Sequence, residues 1–340
     1  MFHRILVPLD GSARAERALP VAARLARAMN GTLVLARVAQ PPLQPASSLA
    51  PPLEVGAALL SEEVEHATTY LAQIMKQAEM VGVGYEPVTL VGYPAEMILE
   101  AVRTYKADSV ILTSHGRTGL LRWVLGSVAQ RVVYQATVPA LVLHQQGPLP
   151  LPENEGPLRA LVPLDGSGLS EAMIGPAATL VSALAAQGKG IIHLVRVVPA
   201  SSGEAEASMS TPPTSREVGT REAALREAEA YLSRAAENLQ KGPLAHLHVA
   251  WSVLANKDVA GALVDLAQRG ITAQGSESVG RFDLIAMSTH GRGGLRRLVI
   301  GSVTERVLSA SKLPLLILRP REVAANQFNV NQASEEAIPI

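Results

Sequence analysis

The sequence predicts an α/β protein made of two tandem doubly wound domains, each with a five-stranded parallel sheet. Short, fully apolar runs of strand length alternate with amphipathic segments of helix length along the chain. A strand followed by an Asp-Gly-Ser turn occurs twice, at residues 4–12 and again at residues 159–167. The length of 340 residues suits two domains. Because the strands are apolar throughout, helices must cover both faces of each sheet, as in Rossmann-like folds.

The elements of the first copy are read from apolar runs and from helix-ending residues. Ser12 can cap a helix that runs to about Met29 and ends at Asn30-Gly31, and Pro94 suits the first turn of a helix. The predicted strands are residues 4–8, 32–38, 86–91, 109–112 and 140–143. The predicted helices are residues 12–29, 61–81, 94–105 and 127–136.

The second copy repeats this order, with strands predicted at residues 160–163, 190–197, 247–253, 284–287 and 315–318. A segment rich in proline and glycine joins the copies and reads as an unstructured connector. We therefore expect a first domain at residues 1–146, a linker at 147–157, a second domain at 158–320 and a disordered tail at 321–340.

The composition excludes several classes of function. Lys+Arg and Asp+Glu are both 30, so a net charge of zero argues against nucleic acid or an anionic membrane as partner. The absence of cysteine excludes disulfides, thiolate metal sites and cysteine nucleophiles. No apolar stretch has the length of a secretory core or a membrane span, so we expect a soluble, cytoplasmic protein.

The strongest local pattern is a pair of glycines around the start of the helix that follows the fourth strand. Gly116 is separated by nine residues from Gly126-Ser127, and Gly291 stands in the same relation to Gly301-Ser302. Glycine permits close approach of the backbone to a ligand, and a helix N-terminus attracts phosphate. Residues 127–130 and 302–305 both read as capping boxes. The intervening arginines suit a polyphosphate, although a glycine-rich loop with solvated arginines and no ligand is the alternative: Arg117, Arg122, Arg292, Arg296 and Arg297.

Other candidate residues carry weaker signals. Asp10 and Asp165 follow the first strand of each copy, where a ligand crevice is expected, but an Asp before Gly-Ser also favours a simple turn. His115 and His290 fall within the glycine loops, where they could donate to a phosphate or ribose or could point to water. No P-loop and no carboxylate pair for acid–base catalysis is present, and no metal site is expected.

On these motifs both halves resemble universal stress protein domains, whose ATP-binding members carry Gly-x-x-Gly, nine residues, then Gly-Ser. Thr113 and Ser288 replace the first glycine of that pattern. The Gly-x-Pro of the family is matched by residues 92–94 in the first half and becomes Asn-Lys-Asp at residues 256–258 in the second. The resemblance implies a site for ATP with Mg²⁺ in each half, formed by Pro8, Leu9, Asp10, Val38, Thr113, His115, Gly116, Gly126, Ser127 and Val128, and by Pro163, Leu164, Asp165, Val197, Ser288, His290, Gly291, Gly301, Ser302 and Val303.

Three functions are compatible with these features: an ATP-binding regulator of the stress response, a slow ATPase or phosphoryl-transfer enzyme, and an interaction module without nucleotide. The paired glycine loops favour the regulator, and the lack of an evident general base disfavours the enzyme. We expect tighter ATP binding in the first half, which keeps Gly-x-Pro. We also expect residues 140–143 and 315–318 to pair antiparallel, which would hide two apolar edge strands, and we regard further assembly into a homodimer as an open alternative.

Overall fold

The computed structural model describes residues 1–40, 53–77, 80–114, 125–144, 149, 157–185, 189–200, 215–270, 280–290 and 300–319. Apart from Leu149 and Pro157, the predicted linker lies outside these residues, and so does the predicted tail. No helix in these ranges is long and apolar enough to cross a membrane.

Ten strands form one continuous sheet, in which the two predicted five-stranded sheets are joined edge to edge. The strand order is β3-β2-β1-β4-β5-β10-β9-β6-β7-β8, so both halves repeat one topology. All neighbours are parallel except β5 and β10. The strands are β1 (Arg4–Leu9), β2 (Thr32–Ala39), β3 (Gly84–Val91), β4 (Ser109–Thr113), β5 (Ala140–Leu143), β6 (Leu158–Pro163), β7 (Gly190–Val198), β8 (His248–Ala255), β9 (Leu284–Ser288) and β10 (Leu315–Leu318).

The antiparallel seam between β5 and β10 confirms the predicted pairing of the two edge strands. Leu141 and Leu316 stand opposite each other at its centre, and both are fully buried. The pairing satisfies backbone groups that would otherwise be left open at two apolar sheet edges.

Helices cover both faces of the sheet, as the fully apolar strands require. The helices are α1 (Ala13–Glu16), α2 (Ala18–Ala28), α3 (Leu53–Ile74), α4 (Pro94–Thr104), α5 (Ser127–Gln135), α6 (Gly168–Glu171), α7 (Ile174–Leu184), α8 (Ser215–Gln240), α9 (Val259–Arg269) and α10 (Ser302–Ala310). One core lies under α2, α3, α7 and α8, and the other lies under α4, α5, α9 and α10. Each core contains residues of both halves, and α2 packs on α7 across the seam.

The single helix predicted for residues 12–29 is wrong, because the structure breaks it at Arg17. Pro20 explains the break: inside a continuous helix it could not donate to the carbonyl four residues back, whereas in the first turn of α2 it has no such bond to make. Pro176 takes the same place in α7, after the break that follows α6. The helix predicted at residues 61–81 instead spans Leu53–Ile74.

Candidate functional site

The strand order places a crevice at the carboxyl ends of β1 and β4 in the first half, and of β6 and β9 in the second. In each half the chain turns from the first strand to one side of the sheet and returns on the other side in the fourth strand. Such a switch point is where doubly wound sheets bind ligands. Asp10 and Asp165 follow the first strands, while Thr113 and Ser288 end the fourth strands, so these predicted residues share one edge of the sheet.

The Asp-Gly-Ser segments form a side-chain turn that starts the following helix. Asp10 Oδ1 accepts hydrogen bonds from Ser12 N at 2.9 Å and Ser12 Oγ at 2.5 Å, and Ser12 Oγ accepts from Ala15 N at 3.2 Å. Asp165 Oδ1 is bonded in the same way to Ser167 N at 2.9 Å and Ser167 Oγ at 2.6 Å. Gly11 and Gly166, at φ 81° and 84°, supply the left-handed backbone that the turn needs. Asp10 and Asp165 therefore form the turn that was the alternative to a role in the ligand crevice. The turn itself holds each carboxylate at the crevice.

The apolar residues assigned to the site have buried side chains, which limits how they can meet a ligand. Leu9 and Leu164 point into the core under α2 and α7, and Val38 points into the core on the opposite face. These three residues can therefore contact a ligand in the crevice only through their backbone atoms. Pro8 and Pro163 are half-buried at the ends of β1 and β6, and Val197 is half-buried in β7.

The second glycine of each predicted loop docks directly onto the end of the fourth strand. Gly126 N donates to the Ser114 carbonyl at 2.7 Å, and Gly301 N donates to the Thr289 carbonyl at 2.8 Å. A Cβ on Gly301 would lie 3.3 Å from that carbonyl oxygen, so glycine allows the approach. The helix N-termini are thereby fixed at the crevice edge.

The capping-box prediction for Ser127 and Ser302 is wrong. The N-cap residues are Gly126 and Gly301, and neither supplies a side-chain hydrogen bond. The two serines are the first helical residues, one position too late to cap the helix. The first N–H groups of α5 and α10, which include those of Val128 and Val303, have no acceptor inside the helix and lie at the positive end of its dipole.

The side chains and carbonyls at the end of β9 are engaged in hydrogen bonds with one another and with α10. Ser288 Oγ donates to the His290 carbonyl at 2.6 Å, and Thr304 Oγ1 donates to the Ser288 carbonyl at 2.9 Å. His290 Nδ1 is 2.8 Å from Thr289 Oγ1, which leaves Nε2 as the ring nitrogen that can face a ligand. The predicted residues His115, Gly116 and Gly291 lie outside the described residues.

The segment that replaces Gly-x-Pro in the second half is built differently. Asp258 is the N-cap of α9: its Oδ1 accepts from Gly261 N at 3.0 Å, and its Oδ2 is 2.8 Å from Arg306 Nη2 on α10. The hydrogen bond to Arg306 holds the pKa of this carboxyl below its usual range. In the first half Arg131 occupies the place of Arg306 and pairs with Glu96 at 2.7 Å. The Asp258 charge is thus neutralised by α10.

No metal centre is formed by the residues that the structure describes, since they hold no cluster of three or more His, Asp or Glu side chains. His246 precedes β8, and its Nε2 is 2.9 Å from Ser182 Oγ. Sequence reasoning missed two nearly buried cations, Arg37 and Arg196, which lie near this crevice in equivalent strands. Their signal in the sequence is an arginine inside an apolar strand of both copies.

Comparison with known proteins agrees with the repeated fold and its crevice. The model of the universal stress protein family matches residues 1–144 and 280–319. A universal stress protein of Methanocaldococcus jannaschii is 32% identical over 145 residues, which are 43% of this chain and 84% of that protein. One of Mycobacterium bovis is 30% identical over 214 residues, 63% of this chain and 62% of that protein.

The architecture is shared with a solved structure that matches almost the whole chain. A universal stress protein from Archaeoglobus fulgidus has a TM-score of 0.63 at 18% identity, and the match covers 94% of this chain and 100% of that one. A universal stress protein solved in complex with cAMP is 26% identical over 42% of this chain and 97% of its own, with a TM-score of 0.33. Because the family model matches more than half of the sequence, including segments of both halves, the chain belongs to the universal stress protein family.

Proposed function

We propose that this protein is a regulator in the stress response that binds ATP in each half, with the phosphates at the N-termini of α5 and α10. The observation that carries the proposal is the duplicated docking of Gly126 and Gly301 onto the ends of β4 and β9. In both halves it brings a helix N-terminus without a side-chain cap to the sheet's switch point. Backbone N–H groups and a positive dipole end are suited to bind a phosphate.

The remaining residues fit a nucleoside beside those phosphates. The Asp10 and Asp165 carboxylates stand at the same edge and can accept hydrogen bonds from a ribose or a base. The backbone near Val38 and Val197 is the place that the family resemblance gives to adenine. Mg²⁺ would be held chiefly by phosphate oxygens, because this cation usually keeps its waters and takes few protein ligands.

Measurements of nucleotide binding and of ATP turnover distinguish the regulator from the enzyme and from the interaction module. We expect ATP to bind more tightly than AMP or cAMP, because the helix N-termini attract the additional phosphates. Chelation of Mg²⁺ is expected to weaken ATP binding, since the metal offsets phosphate charge. Sustained phosphate release would identify an enzyme, and absence of any nucleotide binding would favour the interaction module.

Substitution of the docking glycines tests where ATP binds. The backbone of Gly126 and Gly301 lies at φ −58° and −60°, which any residue adopts, so Gly126→Val with Gly301→Val is expected to fold. At Gly301 the new Cβ would lie 3.3 Å from the Thr289 carbonyl oxygen, so the helix start must shift slightly to admit it. The added side chains crowd the phosphate position, and we expect ATP affinity measured by calorimetry to fall at least about tenfold, the equivalent of one charge-assisted hydrogen bond. Gly175→Val in α7 is the matched control, because no atom lies within 4 Å of a Cβ there. Parental affinity in the double variant would place ATP elsewhere.

The two single variants also compare the halves within the intact chain. Gly301→Val leaves the first site and Gly126→Val leaves the second. We propose that the first half binds ATP more tightly, because Gly92 keeps a backbone at φ 142° next to the end of β2, whereas Asn256 makes the equivalent N–H bond, to the Val198 carbonyl, without that conformation. Repulsion by Asp258 does not enter, since Arg306 pairs with it. Equal ATP affinities of Gly301→Val and Gly126→Val would contradict tighter binding in the first half.

A further inference from the structure

A nearly buried arginine lies against a tyrosine ring next to the crevice of the first half. Arg37 is the sixth residue of β2 and is 9% exposed. Its guanidinium carbon lies 5.8 Å from the centre of the Tyr70 ring on α3, within the range of a cation–π contact. Tyr70 Oη donates to Glu16 Oε1, at the end of α1, at 3.0 Å. We call Arg37, Tyr70, Glu16 and Asp10 the first polar cluster.

The second half repeats the contact between arginine and tyrosine with equivalent residues. Arg196 on β7 is also 9% exposed, and its guanidinium carbon lies 5.3 Å from the centre of the Tyr231 ring on α8. Glu171 ends α6 as Glu16 ends α1, but among the described residues Tyr231 Oη has no hydrogen-bond partner. Burial raises the pKa of Tyr231, and Glu171 adds to the rise. Arg196 also lies 3.7 Å from the exposed Glu227. The second polar cluster is therefore Arg196, Tyr231, Glu171 and Asp165.

Each arginine adjoins the strand end from which the aspartate turn begins. Arg37 pairs in register with Leu9, the residue before Asp10. In the second half, Leu164 N donates to the carbonyl of Val195, the residue before Arg196. Burial and Glu16 raise the pKa of Tyr70, whereas Arg37 lowers it, in keeping with the hydrogen bond to Glu16 and the ring contact with Arg37.

Burying a guanidinium at this place lowers stability unless opposite charges lie nearby. Removing a guanidinium from water is unfavourable and is balanced only by well-placed partners. The neighbouring strand positions on this face, Leu33 and Leu35, are leucines in the apolar core. An arginine beside the crevice in both halves is therefore expected to act on the carboxylates next to it.

We propose that Arg37 and Arg196 are positioning residues that hold the Asp10 and Asp165 carboxylates in the orientation that receives the nucleoside of a bound nucleotide. Tyr70 and Tyr231 hold each guanidinium against the sheet by the ring face, and Glu16 fixes the Tyr70 hydroxyl. The proposal rests on the proposed ATP site, because it assigns the arginines a role in binding at that site.

A double-mutant cycle on ATP affinity tests this role. In a Gly301→Val background, which leaves the first site, ATP binding is measured by calorimetry for Arg37→Met, Asp10→Asn, both together, and Arg37→Lys. We expect Arg37→Met to weaken binding about tenfold and the combination to be no weaker than Asp10→Asn alone, because the arginine acts through Asp10. Arg37→Lys, which keeps the charge, is expected to recover most of the affinity. Arg103→Met, on an exposed arginine of α4, is the control.

The outcomes distinguish the positioning role from a structural one. Additive losses in the double variant, or a loss in Arg37→Lys as large as in Arg37→Met, would overturn the proposal. Thermal unfolding of every variant is measured in parallel, and Tyr70→Phe offers a milder change in case Arg37→Met unfolds. Tyr70→Phe should weaken ATP binding in the same non-additive way. Failure of the Gly301→Val background itself to bind ATP would reject the proposed function.

Discussion

Among single residues, His193 shows how a buried polar group links stability to pH. Its ring is 2% exposed, its Nε2 is 2.9 Å from Ser252 Oγ, and it meets Phe282 edge-on at 5.4 Å between ring centres. Among the described residues its Nδ1 has no hydrogen-bond partner. Burial, aided by the nearby His248, lowers the pKa of His193 to about 4.

This depressed pKa predicts a loss of stability in mild acid. An imidazole in the unfolded chain titrates near 6.5, so between about pH 6.5 and pH 4 the unfolded state binds more protons than the folded state. The free energy of unfolding should therefore fall by about 2 to 3 kcal/mol from pH 7 to pH 4.5 through this residue. Denaturant titrations should show a smaller fall for His193→Gln than for the parent, with His66→Gln, at an exposed position of α3, as the control. An equal fall in all three would show that His193 is not responsible.

Residue identity alone could predict the turn aspartates but not these buried polar groups. Asp before Gly-Ser has a local preference for a turn, so Asp10 and Asp165 were found from sequence. The burial of Arg37 and His193 depends on Tyr70 and Phe282, which are far away in the chain. Nothing local to the two strands encodes those partners.

At the scale of elements, the N-caps of α1 and α5 predict different losses of stability when two serines are replaced by alanine. Ser12 is the N-cap of α1, and its hydroxyl accepts from Ala15 N. Ser12→Ala should lower the free energy of unfolding by about 1 kcal/mol, the usual effect of a lost cap. Ser127 follows the N-cap of α5, so Ser127→Ala should change stability by only a few tenths of a kcal/mol. Equal costs in denaturant unfolding would restore the capping-box interpretation.

Strands were more predictable than helices because their signal is the apolar run itself. The predictions for β5 and β10 agree with the structure at both ends, since Pro139 and Pro314 precede the runs. The error for α3 arises because no cap residue marks its end near Ile74. At α5 and α10 the N-cap is a glycine, which has no side chain by which a cap could be recognised in the sequence. The cap was therefore assigned to the serine that follows, one position too late.

At the scale of the whole molecule, duplication produces one continuous sheet with a crevice at each of two opposite edges, because β5 and β10 run antiparallel. The sequence predicted two domains that pair, and the pairing through β5 and β10 is confirmed. Apolar periodicity could not predict that both cores run across the seam, because it identifies faces without showing what covers them. In addition to the strands, Arg319 Nη1 donates to the Tyr134 carbonyl across the seam at 3.1 Å. The two halves are therefore expected to support each other's stability.

Shared cores predict that the parent unfolds in one cooperative transition. Leu141→Lys with Leu316→Lys would place two ammonium groups in the buried centre of the seam, where neither can be hydrated without separating the strands. Calorimetry should then show a lower or divided transition, and scattering should show a larger radius of gyration. Cleavage at residues 147–157 should become faster. Leu59→Lys, at a 43% exposed position of α3, is the control. If the seam variant kept the compact profile and the single transition, the β5–β10 pairing could not be what unites the halves.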